Sequence, residues 1–320
     1  MGHADDRHQI VIVGAGRVGA TTAYAALVSG IADTITLVDF DPKRAEGEAM
    51  DLVHGLPYVP PASVRAGGYE ACREADVIVV TAGAARQPGD TRLELARRNL
   101  GLFEEIIPKI TEQTREAVLV IVSNPVDLLT LAAQRISGLP PSQVIGTGTA
   151  LDTSRLRAIL AEHFAVDARN VHAFVVGEHG DSQVTLWSPA RIAGLTLRDY
   201  AKAAGKDWNA DLERDLEKQV ITAGAEVIKR KGATFYAIGL AAANLARTIL
   251  RDERSILTVS SVLHGEQGLA DVALSLPCVV GQEGCTRVLA MSIDAKEQAA
   301  LEASAAALRK VYADIGGPKG

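Results

Sequence analysis

The chain has 320 residues, 48 % hydrophobic and 22 % charged, with a formal net charge of −6, which is the balance of an ordinary globular enzyme-sized protein. It carries no block of about five or six basic residues and no apolar run near the roughly 18 residues of a membrane helix, so neither nucleic acid nor membrane is the expected partner. Three cysteines (Cys72, Cys278, Cys285) show neither C-x-x-C nor zinc-ligand spacing, and the polar stretch 1–8 does not read as a secretory signal; a reduced, cytoplasmic setting without a metal centre is expected.

Residues 9–13 predict a short strand, followed by Gly14-Ala15-Gly16-Arg17-Val18-Gly19 and an Ala-rich helix over 18–29. A second strand at 34–38 ends at Asp39, and a helix follows over 42–56. The continuous apolar runs 76–81 and 117–122 suit strands buried on both faces, as in a parallel sheet covered by helices. Strands alternating with helices predict a doubly wound α/β domain. Leu139-Pro140-Pro141-Ser142 punctuates the pattern before a short strand at 144–148. From about Leu151 the rhythm changes. A helix over 153–164 and a strand over 171–176 lead into mixed structure, then long amphipathic helices over 210–230 and 235–251. Two β-rich runs, 256–262 and 271–280, precede a closing helix over 295–313. The expected division is a dinucleotide-binding domain over 1–150 and a mixed α+β substrate domain over 151–320.

Gly14-x-Gly16-x-x-Gly19 lies between a strand and a helix. Glycine there permits a tight turn, a close approach of backbone to a pyrophosphate, and close packing of helix on strand. The helix N-terminus then offers free N–H groups and a positive dipole end to phosphate. Asp39 closes the second strand about 20 residues on, where a carboxylate accepts hydrogen bonds from a ribose diol and repels a 2′-phosphate. NAD is therefore the expected cofactor. The alternative for Asp39 is a solvated strand end or a helix cap.

Hydride transfer from a secondary alcohol needs a base for the hydroxyl proton, a cation to polarise the carbonyl in reverse, and an anchor for the carboxylate. His179 follows an apolar strand in a Gly-flanked loop, a poor place for a core-filling imidazole, and can exchange a proton near neutral pH. Asp152, 27 residues earlier, is able to bond the far ring nitrogen and fix the tautomer. Arg155 shares a helix face with Asp152; it either grips a substrate carboxylate bidentately or pairs with Asp152. Arg92 follows a loop hinged by Gly83, Pro88 and Gly89 that is suited to opening and closing, and its alternative is a solvated surface arginine.

Together these elements resemble the lactate/malate dehydrogenase family over nearly the whole chain. The matching stretches are Gly14–Gly19, Asp39, Ala82-Gly83 through Arg92, Asn124-Pro125-Val126-Asp127, Leu151-Asp152-Thr153-Ser154-Arg155, Gly177-Glu178-His179-Gly180-Asp181-Ser182 and Lys231-Gly232-Ala233-Thr234. The resemblance implies a Rossmann-type fold and a reversible NAD-dependent L-2-hydroxy-acid dehydrogenase. It implies His179 as acid/base with Asp152 as partner, and Arg155 on the carboxylate. Arg92 would then polarise the carbonyl, Asn124 lie beside nicotinamide and substrate, and Thr234 line the pocket.

Two signals conflict over the substrate. The stretches around His179 and Thr234 resemble the lactate branch, whereas Arg86 stands where the malate branch has an arginine for a second carboxylate and the lactate branch a glutamine. Gln87 is next door. Threonine at 234 is worth a methyl group or so, roughly 1–3 kcal/mol; a buried arginine without a counter-charge costs about 3–5 kcal/mol. The charge at Arg86 therefore favours L-malate/oxaloacetate, with L-lactate/pyruvate as the alternative. The resemblance further implies a homo-oligomer, a dimer or tetramer, in which Arg157 and His172 form an anion site for fructose 1,6-bisphosphate across a subunit interface. Two other classes share parts of the pattern. An NAD-sensing protein has no use for His179, Asp152, Arg155 and Arg92 together, and an NAD-dependent glycosidase needs a divalent metal.

Overall fold

The computed structural model describes residues 8–84 and 91–318. Its first half alternates β1 (Gln9–Val13), α1 (Arg17–Val28), β2 (Thr34–Val38), α2 (Pro42–His54), β3 (Ser63–Ala66), β4 (Val77–Val80), α3 (Arg92–Thr111), β5 (Val118–Ile121), α4 (Val126–Ser137) and β6 (Val144–Gly146). The six strands pair in parallel in the order β3-β2-β1-β4-β5-β6. The order reverses between β1 and β4, and a crevice opens there beyond the carboxyl ends of both strands.

Successive side chains of one strand feed opposite cores. Ile10, Ile12, Val77 and Val79 pack towards α1, α2 and a later helix, while Val11, Val13, Ile78 and Val80 pack against Phe103, Ile107 and Leu129 of α3 and α4. Burial on both faces is the reason these strands are apolar without alternation. The helix expected over 42–56 stops at His54, because Gly55 and Pro57 turn the chain into a short 3-10 segment, Leu56–Tyr58.

The second half contributes α5 (Ala150–Phe164), β7 (Val171–Val176), β8 (Val184–Ile192), β9 (Leu195–Thr196), α6 (Leu197–Ala203), α7 (Ala210–Lys231), α8 (Tyr236–Leu250), β10 (Ser255–His264), β11 (Ala270–Gly281), β12 (Gly284–Val288) and α9 (Ala295–Asp314). Strands β7 to β9 form a separate antiparallel sheet. Strands β10 to β12 instead continue the main sheet, with Ser260 of β10 paired antiparallel to Gly146 of β6. The nine-stranded sheet thus runs across residue 150. Gly148, at φ +47°, makes the junction close: a Cβ there would lie 2.5 Å from the Ser260 nitrogen. Helix α8 also crosses the division, lying on α1 through Gly239, whose Cβ would fall 2.6 Å from Thr21 Cγ2.

Candidate active site

The cofactor crevice begins where β1 ends. Gly14 has φ +107° and donates its N–H to Val38 O at 2.7 Å, and a Cβ on it would meet the Ala82 backbone. A Cβ on Gly16 would meet nothing within 4 Å among the described residues, so the open side of the turn is at Gly16. Gly16 caps α1 without a side-chain acceptor, and no acidic residue occupies the first turn, which leaves the helix N–H groups for phosphate. Asp39 Oδ2 accepts the Ala15 N–H at 2.7 Å and Oδ1 accepts that of Asp41 at 3.0 Å. The carboxylate is thereby fixed on the rim of a cavity of about 380 Å³ lined by Gly14, Gly16, Asp39, Phe40, Thr81 and Gly83, among others. A glycine turn, an open helix end and an anchored carboxylate fit an NAD dinucleotide.

The reactive groups gather beyond this crevice. His179 Nδ1 lies 2.6 Å from Asp152 Oδ2, and Arg155 Nη1 donates to Asp152 Oδ1, also at 2.6 Å. Asp152 is 3 % exposed, Arg155 19 % and His179 28 %. One buried carboxylate therefore orients both cations, and both readings of Arg155 start from the ion pair. Asp152 engages Nδ1 of His179, and Nε2 is the other ring nitrogen able to exchange a proton. Burial lowers the pKa of His179, but the bond to Asp152 and the charges of Asp152 and Asp127 outweigh it, and the net shift is upward. Burial raises that of Asp152, and the bond to His179 with the charges of His179 and Arg155 outweighs it, so the carboxylate titrates below its usual range.

The loop that presents His179 is pinned from three sides. Gly177 exchanges backbone bonds with Ser275 of β11 at 2.8 and 3.0 Å. Ser304 of α9 accepts the Glu178 N–H at 2.9 Å, and its hydroxyl lies 3.0 Å from that of Ser182, which also bonds the Glu178 carboxylate. Asp127 of α4 accepts the His179 N–H at 2.7 Å. Asp127 is fully buried and burial pushes it up to about 6, against the pull of Ser260 and His179. Its Oδ1 and the Ser260 hydroxyl have no hydrogen-bond partner among the described residues.

Arg92 opens α3 and pairs with Asp181 at 2.7 Å, both side chains being mostly exposed. Asn124 meets Asn99, a buried residue on α3: Asn99 donates to Asn124 O at 2.6 Å and accepts the Ala84 N–H at 2.7 Å. Thr234 is half-buried between α7 and α8. A Cβ on Gly224, inside α7, would lie at ordinary contact distance, 3.8 Å, from Arg155 Nη2, so α7 passes directly beside the guanidinium. Arg157 of α5 donates to Ala173 O at 3.1 Å and stacks over Phe174 at 5.3 Å, beside exposed His172. Arg86 lies outside the described residues.

The sequence reading did not single out Asp127, Asn99, Gly224, Ser304 or Asp181 as site residues. A polar side chain on the apolar face of α3 and a glycine in mid-helix are signals that point to Asn99 and Gly224. The others act through partners far along the chain.

Residues 8–146 match a family model described as lactate/malate dehydrogenase, NAD binding domain, and residues 149–315 match its alpha/beta C-terminal domain. The chain is 44 % identical over 308 residues to an L-lactate dehydrogenase of Thermoanaerobacter pseudethanolicus, covering 96 % of this chain and 99 % of the relative. It is 45 % identical over 304 residues to that of a Synechococcus species, covering 95 % and 98 %. Among solved structures it is similar to the minor L-lactate dehydrogenase from Enterococcus mundtii in the ligands-bound form. There the TM-score is 0.94 and the identity 37 %, with 97 % of this chain and 99 % of the other covered. A lactate dehydrogenase from a Medee basin deep-sea metagenome library is similar at the same TM-score, with 38 % identity and the same coverage of both chains.

Proposed function

The chain belongs to the lactate/malate dehydrogenase family, and from that premise we propose that it is an L-lactate dehydrogenase interconverting pyruvate and L-lactate. That it is an NAD-dependent oxidoreductase of a small 2-hydroxy acid follows from the family itself. The choice of acid rests on one observation: relatives matching 94–97 % of this chain at 41–45 % identity are L-lactate dehydrogenases. These comparisons back the lactate reading better than the malate preference expected from Arg86. The second reading, oxaloacetate as a competing substrate, is favoured by the charge of Arg86 alone. The test is NADH oxidation with each keto acid. A higher kcat/KM for pyruvate supports the proposal, and a higher value for oxaloacetate overturns it.

In this reading Arg155 grips the substrate carboxylate with the guanidinium edge not bonded to Asp152. The bound nicotinamide supplies the hydride for carbonyl C2. His179 donates its proton from Nε2 to the carbonyl oxygen, while Asp152 holds the ring in the tautomer that exposes Nε2 and stabilises the imidazolium. Arg92 polarises the carbonyl, which requires it to exchange Asp181 for substrate. Asn124 borders the nicotinamide side and Thr234 the methyl side. Asp39 would accept the adenosine ribose hydroxyls and Gly16 leave room for the phosphates, while bare Gly14 and Gly19 let the turn close against Ala82 and Thr81. His179→Ala should abolish most turnover while NADH affinity, read by fluorescence titration, stays near the parent value. Loss of NADH binding instead would remove His179 from the acid/base role.

The division into a cofactor domain over 1–150 and a substrate domain over 151–320 belongs to the same proposal, supported by family models that meet between residues 146 and 149. So do a cytoplasmic location and a homotetramer with Arg157 and His172 on a sugar-bisphosphate site; what the fold offers is the nearness of the two residues, Arg157 donating to the Ala173 carbonyl next to exposed His172. Unchanged activity on adding fructose 1,6-bisphosphate would remove that site. Among the described residues no helix is long and apolar enough to cross a membrane.

A further inference from the structure

We propose that Arg17 is a direct ligand of the cofactor's pyrophosphate and that the Phe235 ring holds its guanidinium ready for it. Arg17 is the first residue of α1, directly after open-sided Gly16, and its side chain is exposed. Its guanidinium carbon stands 6.0 Å from the centroid of Phe235, the residue that caps α8. Lys231 Nζ approaches the same ring at 3.8 Å and that of Tyr236 at 4.0 Å. Arg17 and Thr21 of α1 face Phe235 and Gly239 of α8, so the two helices run side by side in one direction and open at the same end.

Positive potential therefore accumulates at one place. Two helix N-termini and two cations meet there, neither helix carries an acidic residue in its first turn, and among the described residues neither Arg17 nor Lys231 pairs with a carboxylate. Like charges gathered without a counter-charge repel unless an anion joins them. The family's NAD-binding domain supplies one: the doubly charged pyrophosphate that the glycine turn must admit. An aromatic face suits the waiting position, because a cation–π contact orients a guanidinium without neutralising it. The planar donor fork then suits paired phosphate oxygens. Phe235 is a positioning residue acting through Arg17. The inference concerns the cofactor and stands whichever keto acid is reduced.

The experiment uses the full chain and two probes read by titration calorimetry: ADP-ribose, which carries the pyrophosphate, and adenosine, which does not. Arg17→Gln should weaken ADP-ribose and NADH about tenfold, the size of one lost charge-assisted bond, flatten their salt dependence, and leave adenosine unchanged. Phe235→Leu should weaken ADP-ribose by a smaller factor and Phe235→Tyr restore it. Parental ADP-ribose affinity in Arg17→Gln, or a parallel loss of adenosine binding, overturns the assignment of Arg17. Parental ADP-ribose affinity in Phe235→Leu overturns the role of the ring.

Discussion

Asp127 accepts the backbone N–H of His179 at 2.7 Å from a fully buried position, with no cation bonded to it among the described residues. The same carboxylate thus fixes the reactive loop and adds its charge to the forces that keep the imidazole protonated.

That arrangement has a stability cost with a definite pH window. The pKa of Asp127 in the fold, about 6, lies above the ordinary 3.8, so the native state holds the proton more tightly than the unfolded chain. The penalty is absent below about pH 4, grows as pH rises through 6, and is complete above it, at most about 3 kcal/mol. Asp127→Asn keeps a carbonyl for the His179 N–H and gains an amide for the Ser260 hydroxyl. Melting curves should show the variant more stable at pH 8 and matching the parent near pH 4. Equal melting temperatures at pH 8 would contradict the penalty.

Asp152→Asn tests the source of the imidazole's proton affinity. The raised pKa of His179 means that the protonated form, the keto-reducing one under the proposed mechanism, persists to higher pH than for a free imidazole. In the variant the basic limb of the pyruvate-reduction profile should move to lower pH, and kcat should fall by about 100-fold or more. An unmoved limb would mean that Asp152 does not set the titration.

Arg86→Gln should raise the pyruvate-to-oxaloacetate ratio of kcat/KM by at least about tenfold, since a lost ion pair to the second carboxylate costs more than about 1.4 kcal/mol. An unchanged ratio would show that Arg86 never meets the substrate.

The Arg92–Asp181 pair is exposed, and such pairs contribute about 0–1 kcal/mol to stability. Its kinetic effect should be larger than its thermal one. Asp181→Asn removes the carboxylate that competes with substrate for Arg92, so KM for pyruvate should fall while the melting temperature hardly moves. A higher KM would mean that Asp181 helps to place Arg92 rather than detaining it.

What the sequence disclosed was local. The glycine turn and Asp39 sit within about 25 residues and announce themselves through strand, turn and helix signals. Asp152 and Arg155 share a helix face by spacing alone, and their ion pair is the contact that spacing allows. The approach of His179 to Asp152 was anticipated from chemistry, not from pattern. Asp127 lies 52 residues from His179 and Ser304 is 126 from Glu178, so no period or motif links them. Helix α4 carries Asp127, Thr130, Gln134 and Ser137 at helical spacing yet is buried on nearly all sides, so its polar stripe does not mark a solvent face. The antiparallel β10–β12 extension and the seating of α8 on α1 are tertiary choices that no segment reveals by itself.

The pairing of Ser260 with Gly146 makes an excised first half a poor specimen. Cut near residue 150, the chain would leave β6 as a bare, apolar edge, a template for intermolecular pairing. It would also strip α8 from the face of α1. Denaturation of the intact chain should consequently occur in one step, because neither half owns a finished surface on its own.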